Sequence, residues 1–331
     1  GFALRAALAQ HHGVGPERIV LGNGSNDVLE LVALAFLTPG DEAVYAQHAF
    51  AVYPLATKAR GATGIEVPAR DYGHDLDAML AAITPRTRVV FVANPNNPTG
   101  TWLEPAAIER FVGRIPREVV VVLDEAYDEY LPAADRSRAV ALVAKHPNLL
   151  VSRTFSKAYG LAALRIGYAI ADPSVADLMN RVRQPFNVNA LAQAAAVAAL
   201  EDVDYVEESA RLNREGMGRL EEGFRALGLR FIRSHGNFVL VHVGDGGAKS
   251  LEIPTLEVRA GLDVRDSVEP RVEARELDGA SADVGGHHAV RARSQQQSQR
   301  ERPCPHWRGS RFVVFGMTEL RMRSWKGVHR S

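Results

Sequence analysis

The chain has one cysteine, Cys304, in 331 residues, so no disulfide framework can form within it, and no Cys/His spacing has the pattern of a zinc site. It has no net charge either: 39 Lys and Arg balance 39 Asp and Glu, so only a local cluster could favour a polyanion. No apolar run approaches the ~18 residues needed to span a membrane, and the first residues lack the charged-then-apolar pattern of a secretory signal. What is present is enough length, and 46% hydrophobic residues, for one large and one small domain around a sizeable core. This composition is that of a soluble, cytoplasmic protein.

From Ile19 to about Leu200 the pattern alternates between short apolar runs and longer amphipathic segments. Such alternation predicts a mostly parallel sheet covered by helices on both faces, an α/β fold. Residues 19–21, 89–93 and 119–123 read as strands, 173–200 and 204–227 as long helices, and a further helix is expected to begin near Val28. No internal repeat is visible.

Chemistry concentrates where those strands end. The most informative stretch is Thr154-Phe155-Ser156-Lys157, with Arg165 eight residues beyond the lysine. A lysine amine can condense with an aldehyde cofactor, and hydroxyls plus a guanidinium in one short loop can hold a phosphate. The stretch therefore reads as an anchor for pyridoxal phosphate. Asp124 follows the run 119–123, at the carboxyl end of a buried strand, where open α/β sheets bind ligands. Burying it unpaired would cost several kcal/mol, so it needs a cationic partner, and a protonated pyridine nitrogen fits.

Tyr127, three residues on, and Asn97, held in the proline-rigid turn 94–100, are placed to hydrogen-bond the cofactor's ring oxygen. The turn 22–27, Gly-rich and leading from a strand into a helix, offers free backbone N–H groups and a helix amino terminus to an anion, through Ser25 and Asn26. Phe50 is a candidate to stack on the pyridine face. Read as structure only, Asp124 would cap a helix, the turn 94–100 would be a plain Asn-Pro turn, and Tyr127 and Phe50 would be packing aromatics.

The combination of Asn94-Pro95-Asn96-Asn97-Pro98-Thr99-Gly100, Asp124-Glu125-Ala126-Tyr127 and Thr154-Phe155-Ser156-Lys157 with Arg165-Ile166-Gly167-Tyr168 resembles the fold type I pyridoxal-phosphate aminotransferases. Within them it resembles the histidinol-phosphate aminotransferase branch, over roughly residues 1–245. The resemblance implies a homodimer that moves an amino group between L-histidinol phosphate and 2-oxoglutarate, yielding glutamate, with Lys157 bonded to the cofactor. Asp124 would meet its ring nitrogen, Asn97 and Tyr127 its ring oxygen, and Phe50 its face. Ser25, Asn26, Thr154, Ser156 and Arg165 would hold its phosphate. Two other enzymes share the cofactor motif: an aminotransferase of aromatic amino acids, and a decarboxylase of an amino-acid phosphate. The alternative of another class is a cofactor-binding product without a competent substrate site.

Both ends depart from the family pattern. Residues 1–18 read as a helix remnant of the small domain, after a family segment that would reach the partner subunit's phosphate site. Residues 19–203 are then the large cofactor-binding domain and 204–245 the start of the small one. From 246 onward thirteen Arg stand against two Lys, and residues 285–331 carry eight excess positive charges. The expectation there is a frame-shifted, partly disordered tail in preference to a nucleic-acid-binding one. Arg321, after an aromatic-Gly-Met turn, is the sole candidate for clamping the substrate.

Overall fold

The computed structural model describes residues 1–136, 138–245, 274–277 and 310–316. Seven strands form the main sheet: β1 (Ile19–Gly22), β2 (Glu42–Ala46), β3 (Thr63–Val67), β4 (Thr87–Ala93), β5 (Val120–Asp124), β6 (Leu149–Thr154) and β7 (Gly167–Ile170). Their order is β1-β7-β6-β5-β4-β2-β3. β7 runs antiparallel to both of its neighbours, and every other pair is parallel. The expected mostly parallel α/β sheet is the fold found.

Side-chain alternation divides the core. Val120 and Val122 of β5 join an apolar cluster with α2 (Ser25–Phe36), α3 (Val52–Ala59) and α7 (Pro173–Val182). Val121 and Leu123 join the opposite one, with α4 (Leu76–Ala81), α5 (Pro105–Val112) and α6 (Arg138–Val143). Each such side chain contributes roughly 1.5–3 kcal/mol by leaving water, which is why the run tolerates no polar residue before Asp124. Continuing the alternation puts Asp124 on the α2–α3 side.

Two helix expectations need correcting. The segment 173–200 is two helices, α7 and α8 (Ala190–Glu201). Arg183 is already extended (φ −67°, ψ 133°), Pro185 disfavours helical geometry at Gln184, and Phe186 takes φ 58°. The chain restarts when Asn189 accepts the Ala192 N–H at 2.8 Å. The helix expected near Val28 begins three residues earlier, at Ser25, which puts Ser25 and Asn26 in its first turn.

The first helix, α1 (Phe2–His12), buries Leu4 and Leu8 completely, in one cluster with Ile19, Tyr168, and Ala192 and Ala196 of α8. At the other end, α9 (Val203–Ala226) packs Met217, Leu220 and Phe224 on Val239 and Val241. These valines belong to β9 (Phe238–Asp245), part of an antiparallel sheet with β8 (Arg230–Ile232), β10 (Ala274–Leu277) and β11 (Ser310–Gly316), in the order β10-β11-β9-β8. The rest of 246–331, Cys304 and Arg321 included, lies outside the described residues. Among the described residues no helix is long and apolar enough to cross a membrane, and no cluster of His, Cys, Asp and Glu could hold a metal.

Candidate active site

The carboxyl ends of β4, β5 and β6 and the amino terminus of α2 surround a cavity of about 240 Å³. Lys157 lines it, together with Ser25, Asn26, Phe50, Asn97, Asp124, Tyr127, Thr154, Ser156 and Arg165. Every site residue expected from the sequence that falls among the described residues is thus in one place.

Asp124 is the last residue of β5, not a helix cap, and is 5% exposed. Its Oδ2 accepts a hydrogen bond from the Tyr53 hydroxyl at 3.0 Å, whereas Oδ1 is buried without a partner. Burial pushes the carboxyl up to about 6, against the Tyr53 hydrogen bond, the charge of Lys157 and a hydrogen bond from the Ala126 backbone N–H. An orphaned carboxylate oxygen in a residue that lines a cavity suits a cationic N–H donor. Tyr53 was not singled out in the sequence. It is fully buried, stacks on Phe91 at 4.8 Å with an interplanar angle of 7°, and meets Phe50 edge-on at 5.9 Å.

The Lys157 amine lies 5.3 Å from the centre of the Tyr127 ring. Burial lowers its proton affinity, Asp124 opposes that, and Arg165 lowers it further. Asn97 Nδ2 donates to the Tyr127 hydroxyl oxygen at 3.1 Å, which leaves the hydroxyl proton free to point elsewhere. The Tyr127 ring is held edge-on against Phe238 at 5.2 Å, and burial raises its pKa.

An anion cradle closes the other end. Gly24 caps α2 at φ 83°, and a Cβ there would come within 2.2 Å of Arg165 Nη2. Arg165, itself at φ 57°, donates from Nη1 to Ser156 Oγ at 3.4 Å and to the Ala162 carbonyl at 3.1 Å. Thr154 Oγ1 accepts the Ser156 N–H at 3.1 Å. At Gly167 a Cβ would lie 2.4 Å from the Ser25 nitrogen, so glycine lets the first turn of α2 rest on β7. A helix amino terminus, hydroxyls and a guanidinium together suit a phosphate.

Behind the cavity the sequence reading missed a buried ion cluster. Arg153 bonds Glu125 at 2.5 Å and Asp128 at 2.8 Å and approaches Glu129 at 3.7 Å, with all four side chains under 10% exposed. Burial pushes Glu125 up to about 8 and Glu129 up to about 7, as three carboxylates face one guanidinium.

A family model described as aminotransferase class I and II matches residues 2–258. The chain belongs to this family. The aminotransferase is 61% identical to the histidinol-phosphate aminotransferase of Methylobacillus flagellatus, over 80% of this chain and 70% of that protein. It is 60% identical to histidinol-phosphate aminotransferase 1 of Cupriavidus pinatubonensis, with the same two coverages, 80% and 70%. The crystal structure of histidinol-phosphate aminotransferase from Sinorhizobium meliloti in complex with pyridoxal-5'-phosphate is similar, with a TM-score of 0.70 and 32% identity. That match covers 72% of this aminotransferase and 65% of the Sinorhizobium chain. The chain thus spans about 70% of the length of these sequence relatives and somewhat less than two thirds of that structure.

Proposed function

We propose that this aminotransferase uses pyridoxal phosphate to move an amino group between L-histidinol phosphate and 2-oxoglutarate, a step of histidine biosynthesis, as a cytoplasmic homodimer. The observation that carries the reading is one cavity in which Lys157, Asp124 with its orphaned Oδ1, and an anion cradle surround a space of about 240 Å³. The choice of substrate rests on the relatives' shared name and on about 60% identity, which favour it over the aromatic and decarboxylase alternatives.

The fit to the cofactor is chemical. Asp124, through Oδ1, would be the partner for a protonated ring nitrogen, and Phe50 would cover one ring face. Tyr127, with its oxygen already accepting from Asn97, has a proton to donate to the ring oxygen. Ser25, Asn26, Thr154, Ser156 and Arg165 hold the phosphate. When bound, pyridoxal phosphate supplies an electron sink for the carbon that loses its proton.

The chain's own residues do the rest. Burial and the Arg165 charge lower the proton affinity of Lys157, with Asp124 opposing, which suits Nζ to take a proton from the substrate carbon and return it on the other side of the reaction. Asp124, ionised above about pH 6, keeps the ring nitrogen cationic during that transfer. Arg165 neutralises the phosphate and keeps the cradle fixed while the amino group moves. The two half-reactions use the same residues in sequence.

The test is the visible absorption of the purified protein with pyridoxal phosphate, with Lys157→Ala as control, before and after L-histidinol phosphate is added. A band that depends on Lys157 and is converted by the donor supports the reading. A band that ignores the donor leaves cofactor binding without transamination.

A further inference from the structure

Tyr53 touches both groups assigned to the pyridine ring, although it does not itself line the cavity. Its hydroxyl donates to Asp124 Oδ2 at 3.0 Å, and its ring meets Phe50 edge-on at 5.9 Å. It is immobilised from behind by the parallel stack on Phe91, itself fully buried on β4. A carboxylate turns easily about its terminal torsion, so an aspartate with one free oxygen has no fixed direction unless the other oxygen is held. Here the hydroxyl holds Oδ2, the Ala126 backbone N–H also bears on the carboxylate, and Oδ1 is left buried without a hydrogen bond in a residue that lines the cavity.

We propose that Tyr53 is a positioning residue: its hydroxyl orients Asp124 for the ring nitrogen, and its ring sets the tilt of Phe50. The inference rests on the pyridoxal-phosphate reading above and adds a residue to it. A hydrogen bond to the charged form also favours that form, so Tyr53 keeps Asp124 ionised to lower pH than burial alone would allow. The groups facing Asp124 are Tyr53 from α3, Lys157 from the loop after β6, and Tyr127 and the Ala126 backbone N–H from its own turn. Its strand partners, Ala93 on β4 and Ser152 on β6, carry no charge.

The experiment titrates pyridoxal phosphate into the full chain across pH, comparing wild type with Tyr53→Phe, Asp124→Asn and the double variant. Tyr53→Phe keeps the ring that packs on Phe91, and a thermal melt checks that the fold survives. We expect Tyr53→Phe to weaken cofactor binding about tenfold, a typical cost for losing a hydrogen bond to a charged group. The acid edge of binding should move upward by roughly one pH unit, because Asp124 is then protonated more readily. In the Asp124→Asn background, adding Tyr53→Phe should change little. An unmoved acid edge, or an equal loss in both backgrounds, would overturn the positioning role and leave Tyr53 as packing. Absence of any Lys157-dependent band in the wild type would overturn the functional reading and this inference with it.

Discussion

Arg153 donates two hydrogen bonds to a single oxygen of Glu125, from Nε at 3.1 Å and from Nη2 at 2.5 Å. Glu125 follows Asp124 and Arg153 precedes Thr154, and because strand neighbours point to opposite faces, this pair fastens β5 to β6 from behind the cavity. The backbone adds a bond in the same place, from the Glu125 N–H to the Ser152 carbonyl at 2.9 Å.

Arg153→Met should therefore destabilise the fold by about 3–5 kcal/mol at neutral pH, because it leaves buried carboxylates without their cation. The deficit should shrink as pH falls, since Glu125 and Glu129 already hold protons more tightly than ordinary carboxylates. Urea unfolding of both proteins at several pH values measures this. A deficit that is the same at every pH would contradict it.

Gly24→Ala should lower the affinity for pyridoxal phosphate at least tenfold. Alanine at φ 83°, ψ 166° carries a strain on the order of 1–3 kcal/mol, and its Cβ would displace Arg165 Nη2 from 2.2 Å away. The guanidinium tip can move, so the loss should appear chiefly as weaker cofactor binding, with only a modest fall in melting temperature.

Arg165→Lys should weaken binding of pyridoxal phosphate but leave pyridoxal, which lacks the phosphate, nearly unaffected. Arg165 reaches Ser156 Oγ and the Ala162 carbonyl from one planar head, and a lysine ammonium cannot reproduce that fork. Equal losses for the two ligands would place Arg165 outside the phosphate site.

His74 supplies the pH test of stability. It is buried, bonds the Ala93 carbonyl from Nε2 at 2.8 Å, and burial lowers its pKa to about 4 from 6.5. A base with a depressed folded pKa contributes stability above its unfolded value and loses it as pH falls towards the folded one. Between pH 6.5 and about 4 the wild type should lose on the order of 3 kcal/mol relative to His74→Gln. Paired melting curves across that window check the sign. A difference that stays constant would mean His74 does not titrate there.

The sequence by itself determined the alternating α/β pattern, three of the seven strands of the main sheet, and the residues that line the candidate site. Runs such as 119–123 are apolar at every position because both sheet faces are buried, and the candidate ligand-binding groups gather at the strand ends: Asp124 closing β5, Asn97 after β4, and Lys157 after β6. Residues close in the chain carry the chemistry, so short motifs were enough to find them. The break between α7 and α8 at Pro185 was not read from the sequence, because the helical periodicity on either side runs past it.

Only the tertiary structure decided what supports those groups. Tyr53 meets Asp124 across 71 positions, and Arg153 meets Glu125 across 28. Neither pairing leaves a local pattern, because a buried tyrosine or arginine reads in sequence like any other residue of its helix or strand. Which partner each finds depends on the register of neighbouring strands and on which face a side chain leaves. Those are set by packing, which acts between segments and not along one.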